Sequence, residues 1–278
     1  MTVPPQLPPS QLPPPDPVRD LPDAPGSRTG RRRRRGNRGT TRDDQVRVPF
    51  EFRRPARRSN NVPPFVATNA LIAINVGLFV WMTLGEVGTV MFGNTESDRT
   101  LDFVISRAFL EQGEWYRLVS CGFVHFGVIH VGFNMLLLYQ LGRLIEPVIG
   151  ALRFSLLYFA ALLGGSLGAL LLSPDAATGG ASGAVFGLMA ASVVGVGQRG
   201  INPLRTGLGV TFAINVLFTL AVPGVSVGGH FGGAAIGAIV GALSLAPRSW
   251  RVPAWASIAV PVATGAACVA VAVAFVRG

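Results

Sequence analysis

Past Arg58 the chain is divided into long runs that contain no Asp, Glu, Lys or Arg. They cover residues 59–85, 118–142, 154–174, 176–198, 206–247 and 252–276, which is 27, 25, 21, 23, 42 and 25 residues. About 20 apolar residues cross a bilayer as a helix, so five of these runs read as single spans. The 42-residue run is too long for one span, and Pro223-Gly224 stands where a turn would divide it. The spacing therefore predicts seven membrane helices. Composition agrees: 14% of residues are charged, 49% are hydrophobic and the mean hydropathy is +0.45. That balance excludes a soluble domain with an ordinary polar surface. Two cysteines and three histidines are too few for a disulfide framework or a histidine- and cysteine-rich metal site. Cys121 and Cys268 lie in apolar stretches and read as small buried hydrophobes.

The few charges are unevenly placed. All 24 basic residues are arginine, and fourteen of them fall in residues 1–60, including the run Arg31 to Arg35. Ten prolines occupy the first 27 residues. Such a segment has too little apolar surface to offset its chain entropy, so residues 1–61 are expected to be a disordered tail. Behind it lies an apolar chain, so the arginine run is expected to meet anionic lipid headgroups, and no nucleic-acid partner is expected. The polar, proline-rich start lacks the apolar run of a signal peptide. With seven spans and the tail inside, 20 arginines fall on the inner side and four (Arg99, Arg107, Arg117 and Arg277) on the outer. The expected topology is a multi-pass cell-membrane protein with a cytoplasmic N-terminus and an extracytoplasmic C-terminus. The lysine-free, arginine-rich usage fits a GC-rich genome, and the expected source is bacterial. One connection is long: residues 86–117 carry six acids and include Leu101–Leu110, an amphipathic stretch expected to lie in the outer interface.

Polar groups inside a span are costly and usually face the protein interior. The histidines are His125, His130 and His230, all in or beside predicted spans. His130 and Asn134 share one helix face at i, i+4. The fourth span contains Gly180-Ala-Ser182-Gly183 with Gly187 four residues on; the sixth contains His230, Gly233, Gly237 and Gly241. Two such small-residue stripes can pack backbone to backbone, which would set Ser182 beside His230. A serine hydroxyl becomes a nucleophile when a base within hydrogen-bond reach takes its proton. His130 and Asn134, with N–H groups at the start of the Ser182 helix, would supply donors for an oxyanion. Phe186 could pack on the His230 ring and hold it. The predicted spans contain no acid, so a Ser-His dyad is the available option rather than a triad. Each element also has a plain reading: small residues spaced by four are common packing faces, and a membrane serine often bonds its own helix. A membrane histidine is equally a proton relay or a structural donor.

Together, Gly180-x-Ser182-Gly183, the pair His130 and Asn134, and His230-x-x-Gly233-x-x-x-Gly237 resemble the rhomboid intramembrane serine proteases. The three patterns occur in order on the fourth, second and sixth spans, where that family has them. Gly113-Glu-Trp115-Tyr-Arg117 resembles the family's Trp-Arg motif in its long first loop. The resemblance covers about residues 62–245. It implies an all-α polytopic fold, with a rhomboid-like six-helix core over 62–247 and an additional C-terminal transmembrane helix over 248–278. By resemblance Ser182 would be the nucleophile and His230 the general base. His130 and Asn134 would line the oxyanion hole, Gly180 would shape the turn into the fourth helix, and His125 would have a structural role. Trp115 and Arg117 would anchor the first loop at the interface. The family often has Tyr where this chain has Phe186, so aromatic packing is kept and a hydroxyl is lost. The implied activity is peptide-bond hydrolysis in or beside transmembrane segments of single-span or polytopic membrane-protein substrates, with no metal or cofactor. A catalytically silent rhomboid-like binding protein is an alternative, and a proton-relaying transporter a more distant one.

Overall fold

The computed structural model describes residues 65–84 and 98–278. The tail over 1–61, its arginine run and its expected lipid contacts lie outside the described residues, as do Glu86 and Glu96 of the first long connection.

Among the described residues, seven helices of 15 residues or more follow one another: α1 (Val66–Thr83), α5 (Val128–Ile149), α6 (Ala151–Leu172), α7 (Ser182–Gly197), α8 (Gly207–Ala221), α9 (Val227–Ser244) and α10 (Ala256–Arg277). Three short ones, α2 (Asp98–Leu101), α3 (Arg107–Glu111) and α4 (Arg117–Ser120), fall between α1 and α5. Five of the long helices are long and apolar enough to cross a membrane; α7 and α8 are apolar but shorter. At 16 residues α7 is only about 24 Å long, less than a typical hydrocarbon core.

Helix boundaries depart from the uncharged runs at instructive places. The first ten residues of the 118–142 run form α4, a 3-10 turn over Cys121–Phe123 and an irregular segment, so the long helix begins only at Val128. That helix then continues past Arg143 to Ile149 and takes in Glu146. The expectation that no acid lies in a span is thereby corrected. Glu146 is buried and accepts hydrogen bonds from Ala67 N and Thr68 N, each at 2.9 Å, and from Thr68 Oγ1 at 2.5 Å. The first N–H groups of a helix have no partner within it and carry partial positive charge, so a carboxylate held there is satisfied rather than stranded. Glu146 lies sixteen residues beyond His130 on the same helix, about 24 Å along its axis, so it cannot serve as a triad acid.

The stretch Leu101–Leu110 is not one amphipathic helix. Its middle runs extended, and Ile105 pairs with Thr178 through two hydrogen bonds of 2.9 Å. Val104 and Ile105 are both fully buried, so pairing with the α6–α7 connection replaces helical bonds here.

The core lies where α5, α6 and α7 meet, around Leu138, Ile145, Phe154, Leu157, Tyr158 and Leu188. α9 closes against α6 and α7 through glycines. A methyl group on Gly165 of α6 would stand 2.9 Å from Gly229 O of α9 and 3.1 Å from the Gly183 Cα of α7. One on Gly187 of α7 would stand 2.8 Å from Gly233 O. Three helices therefore approach at backbone distance, a packing that bilayer-embedded helices achieve only with small residues.

Candidate active site

Ser182 is the first residue of α7. The turn before it depends on Gly180, whose φ of 134° is a backbone conformation that side-chain-bearing residues rarely adopt. Gly180 N–H donates to Cys121 O at 2.8 Å, tying this turn to the segment that precedes α5. Ala181, at the N-cap, offers no side-chain acceptor, so the N–H groups of the first turn of α7 stay available to an outside acceptor.

His230 sits one turn into α9, whose start is capped by Ser226 Oγ accepting from Gly229 N–H at 3.1 Å. Its ring stacks on Phe186 with centroids 4.1 Å apart and planes 17° from parallel. Its Nδ1 lies 2.7 Å from Thr219 Oγ1 on α8. Thr219 escaped the sequence reading. Its signal is a hydroxyl within an apolar helix, yet nothing in its eleven-residue separation from His230 announces the contact.

His130 lies in the first turn of α5, where its Nδ1 accepts from Phe126 N–H at 3.3 Å. A neutral ring that accepts at Nδ1 carries its proton on Nε2, so Nε2–H is left as a donor. Phe126 stacks over that ring at 6.0 Å, and His125 meets it edge-on at 5.0 Å. Asn134 is buried one turn on and donates through Nδ2 to His130 O at 3.0 Å, which engages one of its two amide hydrogens within α5.

Ser182, His230, His130, Asn134, Gly180, Gly183 and Phe186 all line one cavity of about 930 Å³. Among the described residues Ser182 Oγ makes no hydrogen bond to His230. Catalytic hydrogen bonds commonly tighten only when substrate is bound, so the lack of this bond does not exclude the pair as a candidate. Cys121 also lines the cavity.

The remaining predicted residues stand outside the cavity lining. Gly233 and Gly237 serve the α7–α9 contact. His125 is buried behind it, its Nε2 accepting from Ala181 N–H at 3.5 Å. Arg117, only 4% exposed, folds inward to pin the first loop. It pairs with Glu114, donates to Leu101 O at 2.5 Å and Val104 O at 2.9 Å, and covers the Phe109 ring at 3.9 Å. Trp115 packs on an apolar cluster that includes Ile105, Leu118 and Ala272, under the Arg277 guanidinium. Among the described residues no group of three or more His, Cys, Asp or Glu is placed to hold a metal ion.

These features describe a multi-pass helical membrane protein with a cavity reached by a serine, two histidines and a free helix N-terminus. Residues 112–247 match the family profile described as the Rhomboid domain. Over 178 residues the chain is 32% identical to Rhomboid protease GluP of Bacillus subtilis, covering 63% of this chain and 33% of that protein. It is 38% identical over 133 residues to RHOMBOID-like protein 4 of Arabidopsis thaliana, covering 46% of this chain and 34% of that one. It is 33% identical over 134 residues to Rhomboid-type serine protease 2 of Emericella nidulans, covering 46% and 26%. The matches thus span about a third or less of these relatives. Residues 112–247 carry the Rhomboid domain of that family.

Proposed function

We propose that the chain is an intramembrane serine endopeptidase that hydrolyses peptide bonds in or beside transmembrane segments of other membrane proteins. The observation that supports this most directly is the common cavity, which Ser182 at the start of α7, His230 and His130 all line.

In this reading His230 Nε2 takes the proton of Ser182 Oγ as the oxygen bonds to the substrate carbonyl carbon. The negative charge that develops on the carbonyl oxygen is met by N–H groups at the start of α7 and by His130 Nε2–H, with Asn134 supporting His130 through their shared helix. The intermediate collapses as His230 returns the proton to the leaving amine, and water then releases the acyl group by the same proton path. Substrate segments must unwind to expose a scissile bond, so helix-weakening residues near their outer ends are the expected recognition feature. Relatives named as proteases support the activity class.

The test is cleavage of a single-span substrate by purified protein in detergent, wild type beside Ser182→Ala and His230→Ala. Both variants, still folded, are expected to lose about 10⁴-fold or more in rate. Labelling by a fluorophosphonate probe should vanish in Ser182→Ala. Undiminished cleavage by Ser182→Ala would remove the assignment.

A further inference from the structure

On α8 only Gly209 and Thr219 are buried; the rest of the helix is half-buried or faces outward. Thr219 is 2% exposed, and its Oγ1 makes two short contacts: 2.7 Å to the carbonyl oxygen of Asn215 and 2.7 Å to Nδ1 of His230. A threonine hydroxyl has one proton to donate. The Asn215 carbonyl can only accept, so the proton is directed there. The hydroxyl oxygen must then accept from His230, which places a hydrogen on Nδ1. In a neutral ring Nε2 is left with the lone pair.

We propose that Thr219 is a positioning residue for His230, fixing the tautomer whose Nε2 is free to take the serine proton. This rests on the dyad reading above. It assigns to a neutral hydroxyl the task that a buried carboxylate performs in a Ser-His-Asp triad, where losing the carboxylate leaves the wrong tautomer and costs about 10⁴-fold. The Phe186 stack sets the plane of the ring, but a stacked aromatic cannot choose between two nitrogens. Thr219 can. When His230 becomes an imidazolium, its Nδ1–H bond to Thr219 becomes charge-assisted and stronger, and the Asn215 carbonyl polarises the hydroxyl further. The contact therefore favours the state that proton transfer creates.

The test has two independent readouts on the full chain in detergent. The first is ¹⁵N NMR of histidine-labelled protein, with the His230 signals identified by their loss in His230→Ala. Wild type is expected to show a protonated Nδ1 and an unprotonated Nε2 at a pH where the ring is neutral, whereas Thr219→Val, which keeps the side-chain shape, should shift toward the Nε2–H form. The second is steady-state cleavage. Thr219→Val should lose about ten- to a hundredfold in kcat, the cost of one buried hydrogen bond, with KM within about twofold. Thr219→Ser should recover kcat to within about threefold. A wild-type ring protonated on Nε2 overturns the proposal without needing any variant to fold. So does a Thr219→Val enzyme with wild-type kcat, or one whose reduced kcat is not restored by Thr219→Ser while the tautomer is unchanged. If Ser182→Ala and His230→Ala cleave normally, it is the dyad that fails, and the NMR result still reports what Thr219 does to the ring.

Discussion

Gly180 shows how closely backbone and chemistry are joined at this site. A methyl group there would stand 2.9 Å from both Cε1 and Nε2 of His130 and 3.4 Å from Ser182 Oγ, and its φ of 134° is strained for any side chain. Gly180→Ala therefore pushes the proposed oxyanion donor away from the serine and strains the turn into α7. We expect kcat to fall by about tenfold or more, with about 1–3 kcal/mol of stability lost to strain. Cleavage rate and thermal midpoint measure the two separately; a variant with normal kcat would remove His130 Nε2–H from the oxyanion site. Gly180, Ser182 and His230 stand out in the sequence because a glycine turn and small-residue stripes leave a spacing to read. Thr219 does not, because its partner lies across the Pro223-Gly224 turn, where no helical period links the two.

At the scale of whole helices, the uncharged runs indicated that seven helices exist but misplaced the ends of several. Charge is a poor marker of a helix end when the charge has a local solution. Arg143 continues α5 because it is exposed, lies 2.5 Å from Tyr139 Oη and covers the Phe65 ring. Glu146 continues it because the start of α1 supplies three donors. Conversely, residues 118–127 are apolar yet not one helix, because Gly127 at φ 132° and the link from Cys121 to Gly180 hold them irregular. The carboxylate of Glu146 thus fastens α1 to the far end of α5. Glu146→Gln keeps one acceptor oxygen, loses the charge and places an amide hydrogen against backbone donors. It should lower stability by about 1–3 kcal/mol while leaving kcat near wild type, since the site is about 24 Å away. Thermal unfolding in detergent checks the first expectation and cleavage the second. An unchanged midpoint would mean that the α1 start is satisfied without this anion.

Across the described core, contacts between connections sort the helix ends into two sides. The first loop joins the α6–α7 connection through Ile105 and Thr178, and through Arg107 N–H donating to Pro174 O at 2.8 Å. Gly180 joins the same side through Cys121. On the opposite side Glu146 meets the start of α1, and Gln198 Nε2 donates to Ala242 O at 2.9 Å near the end of α9. The Ser182 end of α7 therefore belongs to the side of the long first loop. The helix ends and connections on the Glu146 side carry Arg153, Arg199, Arg205, Arg248 and Arg251, and by the arginine bias this side is expected to be cytoplasmic. The cavity is then expected to open on the outer side. In that orientation α7, shorter than a typical hydrocarbon core, is expected to start below the outer surface, and irregular backbone at membrane depth is tolerated only where it lines such a cavity. By the same count residue 278 is expected outside. Alkaline phosphatase fused after Gly278 should be active in a bacterial host, and a fluorescent protein fused there and exported unfolded should stay dark. Fusions after Gly200, in the α7–α8 connection, should give the reverse. Active phosphatase after Gly200 would invert the protein, turn the cavity toward the cytoplasm, and move the expected cleavage sites to the inner ends of substrate helices.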